Sequence, residues 1–475
     1  MAVATTRRHR HVPRRRGRAV AFSAAIACVL SLASPGASSA TAESLESGLW
    51  YFERGNVQAA HDAGYDGEGV TIAVIDTQVN LDAPGLRGAD VEVRDDSYCF
   101  DASGNRHAAE SRDYIAANHG TNVVSMIVGT GEDVGGSPIK GVAPGAKVLY
   151  YDAMITSEAP SGNSVASTCL QENGELIGAG ETKKDRMFSS GLAQPISDAV
   201  DDGADIISVS LGGLVDASYA VAKAHAAGVV VLGALPNVGG VGDWPSSCNG
   251  VVAVQAFGPD GKIQYSTYDA QLAEPGPNLS DDVIIASPGL GIAVQGSPES
   301  WDAQQTRSGT SLATPVAAGF LAVVKQKYPA ATGDELIQSL IHNTGTTGEH
   351  EPEWNNSTGY GAVSLTGMLA VDPSKYPDVN PLFDGQDDAA VPSQLMVDDA
   401  ARALDTAPSS EPPSAGDAEI EESTAPNPLW VGGGIVLGLI VLGGGGLLAL
   451  FLVRSSRRRG GHHELDKVQV WQSKQ

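Results

Sequence analysis

From about Gly69 to Ala370 the chain alternates short β-branched runs with helical segments built from small residues, and no other feature restricts the fold so strongly. The runs Val70–Ile75, Lys147–Asp152, Asp205–Val209, Val229–Gly233 and Val251–Ala256 are the clearest. Such an alternation buries its apolar surface as a mostly parallel sheet with helices on both faces, an α/β architecture. Strands covered on both sides read as continuous apolar runs, and Thr71-Ile-Ala-Val-Ile75 and Val229-Val-Val-Leu232 are of this kind. Roughly 300 residues is near the upper size of a single core, so one domain over 70–371 is expected. Between the strand ending near Asp152 and the helix beginning near Gly191, the polar stretch Ile155 to Ser190 lacks periodicity and reads as a long surface insertion.

The two ends are of a different kind. Seven arginines and no acid occupy the first eighteen residues, the apolar run Ala19 to Leu32 follows, and small residues surround Ala40 and Ala42. This order reads as a signal peptide over 1–42. The run is too short to cross about 30 Å of hydrocarbon at about 1.5 Å per residue. An N-terminal extension, 43–69, carries the aromatic residues Trp50, Tyr51 and Phe52, which are expected to anchor it on the main domain. Residues 372–428 are rich in Pro, Ser, Asp and Glu and read as a flexible acidic linker. Leu429 to Val453 holds no charge and is followed at once by Arg454, Arg457, Arg458 and Arg459. That pattern predicts one C-terminal transmembrane helix over 429–453, with the tail 454–475 in the cytoplasm and the main domain outside the plasma membrane.

The basic ends conceal how acidic the middle is. Setting aside seven arginines in front, and six basic and two acidic residues behind, leaves 17 basic against 54 acidic residues, net −37. Such a surface is soluble and self-repelling, and it excludes nucleic acid and anionic lipid as natural partners. Cys99, Cys169 and Cys248 remain after the signal peptide. In an exported chain disulfides persist, and Cys99 with Cys169 is the expected pair because both lie in loop-like segments flanking the same stretch, with Cys248 buried or paired elsewhere. No Cys or His spacing resembles a zinc site, and no metal or cofactor is expected.

Three short segments carry the chemistry. In Ser308-Gly-Thr-Ser-Leu-Ala-Thr-Pro-Val-Ala-Ala-Gly319, a serine between turn residues meets the start of a small-residue helix. Ser311 there would face unpaired backbone N–H groups and the positive end of the helix dipole, and Pro315 is read as lying among the first-turn positions that lose no hydrogen bond. A bare Ser-Gly-Thr-Ser is ordinarily only an N-cap. Asn118-His-Gly-Thr-Asn-Val-Val-Ser-Met-Ile-Val-Gly129 puts His119 at the expected head of a second helix, beside a glycine that allows close approach. Val70-Thr-Ile-Ala-Val-Ile-Asp-Thr77 ends a buried strand on the carboxylate of Asp76, at the sheet edge where α/β domains place ligands. Each segment alone has an ordinary structural reading. Together they place Asp76, His119 and Ser311 in the chain order seen in subtilisin.

Over roughly Gly69 to Ala370 the chain therefore resembles the subtilases, the subtilisin-like serine peptidases. The resemblance implies a subtilisin-like three-layer fold and an endopeptidase in which Asp76 orients His119, His119 takes the proton of Ser311, and Ser311 attacks the scissile carbonyl. It further implies that the side chain of Asn237 and a backbone N–H at the nucleophile stabilise the oxyanion. It lays an extended peptide or protein substrate along Ser210, Leu211 and Gly212. The sequence departs from the family pattern twice: Thr77 is followed by Gln78 where a glycine is usual, and Leu235-Pro236-Asn237 replaces the usual Ala-Gly-Asn. These departures leave a second reading, a weakly active or inactive subtilase fold that stabilises a membrane complex. Signal peptide, short extension, subtilase domain, spacer, single span and basic tail together resemble the mycosins, membrane-anchored subtilases associated with type VII secretion. That likeness implies a secretion complex in the membrane as partner and exported proteins as substrates.

Overall fold

The computed structural model describes residues 47–94, 97–99, 106–132, 136, 138–158, 164–167, 192–213, 216–238, 243–266, 276–346, 348–387 and 389–406. The proposed signal peptide, transmembrane span and tail lie outside the described residues, as does Cys169. Among the described residues no helix is long and apolar enough to cross a membrane.

Seven parallel strands form the central sheet: β1 (Thr71–Thr77), β2 (Val91–Val93), β3 (Lys147–Glu158), β5 (Ile206–Val209), β6 (Val230–Ala234), β7 (Val252–Phe257) and β10 (Ile285–Pro288). Their order is β10-β7-β6-β5-β1-β3-β2, with β4 (Ser164–Ser167) added antiparallel to β3. Two small antiparallel pairs complete the strands, β8 (Tyr265–Ser266) with β9 (Gly276–Pro277) and β11 (Ile292–Gln295) with β12 (Gln304–Arg307). The continuous apolar runs are the buried strands, as expected: every residue of β5, β6 and β7 is buried. Helices cover both faces. On one lie α1 (Trp50–Arg54), α2 (Val57–Asp62), α3 (Tyr114–Val128), α6 (Thr310–Lys327), α7 (Gly333–His342) and α8 (Leu365–Ala370), and on the other α4 (Ala193–Asp201) and α5 (Ser218–Ala226). The result is the three-layer α/β arrangement.

From β1 the chain builds outward to β3 and β2 on one side, then continues with β5, β6, β7 and β10 on the other. Sheets that change direction in this way open a crevice outside the carboxyl ends of the strands at the switch, here β1 and β5. Register between β1 and β3 slips by one residue between Asp76 and Thr77, at that same edge. Such a bulge turns the strand end and re-aims the side chain it carries.

The N-terminal aromatic residues are seated in the core. Trp50, Tyr51 and Phe52 are buried, the Trp50 indole N–H donates to the Leu290 carbonyl at 3.0 Å, and its ring meets Phe257 edge-on. Cys99 is disulfide-bonded and Cys248 is a buried free thiol.

Three expectations need correction. The strand expected to end near Asp152 continues to Glu158 and pairs antiparallel with β4, so the polar insertion begins with paired strands; their mixed polar sequence lacks the continuous apolar run by which buried strands are read. His119 is not at the head of its helix, because α3 starts at Tyr114, where the Asp113 carboxylate caps it by accepting the Ala116 N–H at 2.9 Å. The linker over 372–428 is structured as far as Thr406. Its α9 (Gln394–Thr406) packs against α5, Phe383 meets the His225 ring at 4.6 Å, and Asn249 and Gly250 donate backbone N–H bonds to the carbonyls of Val391 and Leu382. This arm is held by hydrogen bonds to the loop at 249–250 more than by apolar burial, so its composition reads as unstructured.

Candidate active site

The side chain of Asp76 is fully buried at the end of β1. Its Oδ1 accepts from the Thr77 N–H at 2.7 Å, from the Thr77 hydroxyl at 3.2 Å and from His119 Nδ1 at 2.6 Å. A carboxylate only accepts, so Nδ1 carries the hydrogen and Nε2 of the neutral ring is left with its lone pair facing outward. Burial disfavours protonation of His119, but the charge and hydrogen bond of Asp76 outweigh it and raise the imidazole above the ordinary histidine value. The ring is still open to solvent, its side chain being 37% exposed.

Gly120 makes this approach of α3 to β1 feasible. A Cβ there would run into the Tyr150 hydroxyl and the carbonyls of Gln78 and Thr77, and the Gly120 N–H donates to the Thr77 hydroxyl at 3.2 Å. Gln78, in place of the family's glycine, takes a backbone conformation open to any residue, and its amide reaches the Ala108 carbonyl at 2.5 Å.

On the neighbouring side, Ser311 is the second residue of α6, where backbone N–H groups have no intrahelical partner and the helix dipole is positive. Its hydroxyl makes no hydrogen bond to His119 among the described residues. Pro315 lies deeper in α6 than the sequence suggested: the helix begins at Thr310, so Pro315 sits beyond the first turn and deprives the Ser311 carbonyl of its i+4 donor. The Ser210 hydroxyl supplies the missing bond, donating to that carbonyl at 2.9 Å. Ser210, predicted to bind substrate, holds the backbone of Ser311.

Asn237 follows β6 and reaches the same place despite Pro236. Its Oδ1 accepts the Thr310 N–H at 3.0 Å, while the single hydrogen of the Thr310 hydroxyl goes to the Leu235 carbonyl at 2.6 Å, with Asn237 Oδ1 at 3.2 Å as the weaker, shared acceptor. With Oδ1 so used, Nδ2 has no acceptor among the described residues. Leu211 is buried and Gly212 exposed.

Thr77, Thr310 and Asp152 were not singled out in the sequence. Both threonines adjoin singled-out motif residues, and a search for hydroxyls beside them would have found them. Asp152 stands in register with Asp76 on β3, is 1% exposed, and neither carboxyl oxygen has a partner within good hydrogen-bond geometry among the described residues, Ser97 and the Met154 N–H being its weak neighbours. Burial pushes its carboxyl up to about 7. Only the strand pairing reveals it.

A three-layer α/β sheet that presents a buried Asp–His pair, a serine at a helix N-terminus and an anchored asparagine at one edge defines the class of subtilisin-like proteins. The subtilase family model matches residues 67–361, and the chain belongs to that family. It is 31% identical over 299 residues to a thermostable alkaline protease of Halalkalibacterium halodurans, covering 61% of this chain and 66% of that protein. Over 304 residues it is 28% identical to alkaline elastase YaB of a Bacillus species (62% and 65% covered), and over 295 residues 30% identical to an intracellular serine protease of Paenibacillus polymyxa (58% and 74%). The match thus spans just under two thirds of the length of the first two relatives. Among solved structures, fervidolysin from Fervidobacterium pennivorans is 25% identical with a TM-score of 0.48, covering 70% of this chain and 48% of that one.

Proposed function

We propose that the chain is a serine endopeptidase, anchored by one membrane span with its catalytic domain outside the cell, that cleaves exported proteins near a membrane secretion machinery. The observation that carries the peptidase reading is the 2.6 Å bond from His119 Nδ1 to Asp76 at the edge where Asn237 is fixed beside Ser311. With Nδ1 committed to Asp76, Nε2 takes the Ser311 proton as Oγ bonds to the scissile carbonyl carbon. Negative charge moves to the carbonyl oxygen, where the Ser311 N–H and Asn237 Nδ2 receive it. Collapse expels the amine, which takes the proton from Nε2, and leaves an acyl-serine that water hydrolyses by the same route.

The Ser311 hydroxyl and His119 are not hydrogen-bonded, which supports a second reading, a scaffold of subtilase fold in a membrane complex. Catalytic hydrogen bonds commonly tighten only once substrate is bound, so the peptidase reading is the stronger. The similar proteins include three named extracellular and one named intracellular, and the membrane and secretion context rests on the chain's own termini and overall layout. Fluorophosphonate labelling of the full chain in detergent tests the reading. Label on wild type but not on Ser311→Ala supports a competent nucleophile. A folded wild type that never labels, with a membrane complex lost on deleting the domain but not in Ser311→Ala, would favour the scaffold.

A further inference from the structure

The substrate segment is joined to a second wall. Gly213 and Trp244 form an antiparallel bridge, N–H to carbonyl in both directions at 3.1 and 3.0 Å. This ties the end of Ser210-Leu211-Gly212 to the far end of the loop that begins at Asn237. Asp243, one residue before the bridge, turns its carboxylate back toward Gly212: a Cβ built on that glycine would lie 2.9 Å from Asp243 Oδ2 and 3.0 Å from its Cβ. A peptide laid along 210–212, with its scissile carbonyl between Ser311 and Asn237, brings the side chain preceding the cut alongside the Asp243 carboxylate at the edge of this contact.

Asp243 is not doing what loop aspartates ordinarily do, which is to cap the backbone N–H groups that follow them. Its backbone carbonyl accepts the Ser246 hydroxyl at 2.8 Å and the Ser247 N–H at 3.0 Å, yet its carboxylate has no ion pair and no hydrogen-bond donor among the described residues. It is half-buried, and burial raises its carboxyl above the ordinary value with no cation to oppose the shift. An unmatched carboxylate in a substrate cleft lacks a cation, and the floor of a specificity pocket is where a substrate can provide one. Gly212, having no side chain, lets the Asp243 carboxylate lie directly against the substrate segment.

We infer that Asp243 selects substrates with lysine or arginine immediately before the scissile bond. The inference rests on the peptidase reading of Ser311 and on the backbone pairing along 210–212. Two fluorogenic peptides that differ only in arginine or leucine before the cleaved bond test it on the full chain in detergent. Arginine should be preferred by at least about tenfold in kcat/KM, and Asp243→Asn should collapse that ratio toward one, a comparison internal to each protein and independent of how much of it is folded. Equal cleavage of both peptides, or an unchanged ratio in Asp243→Asn, overturns the inference and leaves the peptidase reading standing. If neither peptide is cut, fluorescence of 4-aminobenzamidine, a cationic probe that needs no catalysis, decides. Saturable binding by Ser311→Ala that is lost in Ser311→Ala with Asp243→Asn supports the charged pocket, and its absence refutes it.

Discussion

The two halves of the site are built on different principles. On the Asp76–His119 side, one charge-assisted hydrogen bond of 2.6 Å sets the orientation and proton affinity of the imidazole, so that half depends on a charge. On the Ser311–Asn237 side, neutral hydroxyls and backbone groups do the positioning: Thr310 fixes Asn237, and Ser210 takes the carbonyl that Pro315 leaves open. A charge is sensitive to pH and tolerates small displacements. Neutral bonds are indifferent to pH and demand close geometry.

The contrast predicts a ranked series of effects. Asp76→Asn should be the most damaging, lowering turnover by about 10⁴ because the ring loses its imposed tautomer. In wild type the rate should fall with acid through an apparent pKa above the ordinary histidine value, and in Asp76→Asn residual activity should titrate lower; coincident pH profiles would break the charge argument. The sign is that of a raised pKa: the pair stabilises the fold below the unfolded histidine value, and this contribution is lost as pH rises through the folded value.

Next in size, Asn237→Ala should cost about 10² to 10³ in turnover with little change in KM, a range established on subtilisin itself. Its pH profile should stay that of wild type. The Ser210 bond should count for less, with Ser210→Ala lowering kcat about tenfold through loss of one hydrogen bond to a poorly hydrated carbonyl. Adding Pro315→Ala should recover part of that loss, since replacing the proline restores the helix's own N–H to the Ser311 carbonyl. Two losses that simply add would show that Ser210 does not act through that carbonyl.

The smallest effect concerns Asp152. Its folded pKa of about 7 lies above that of an unfolded aspartate, so the folded state holds the extra proton and stability declines as pH rises between the two values. Asp152→Asn should therefore melt higher than wild type at pH 8 and differ little at pH 4. A difference independent of pH would show that the gain comes from packing.

The residues proposed to perform the chemistry were the most legible in the sequence. Asp76, His119 and Ser311 each sit where a strand end, a close helix approach or a helix start restricts the residue types around them, so local motifs betray them. Gly120 is one such restriction, since nothing larger fits against Tyr150. Supporting groups were less visible because their roles follow from pairings across the fold. Asp152 matters only because β3 lies beside β1, and Ser210's hydroxyl only because Pro315 disables a bond elsewhere. The arm ending at Thr406 escaped notice for another reason: it docks by hydrogen bonds to Asn249 and Gly250, and such contacts require no apolar period.

Burial of the N-terminal aromatic cluster has a consequence for how the chain must be made. The Trp50 indole bonds a carbonyl 240 positions further along, and the Tyr51 hydroxyl one 89 positions along. At about 5 to 20 residues per second of synthesis, the first of these partners emerges on the order of tens of seconds after Trp50 itself. Throughout that interval Trp50 is without its native partner, and Tyr51 for the shorter time its own partner needs, so a segment near the start of the domain is among the last to be satisfied in time.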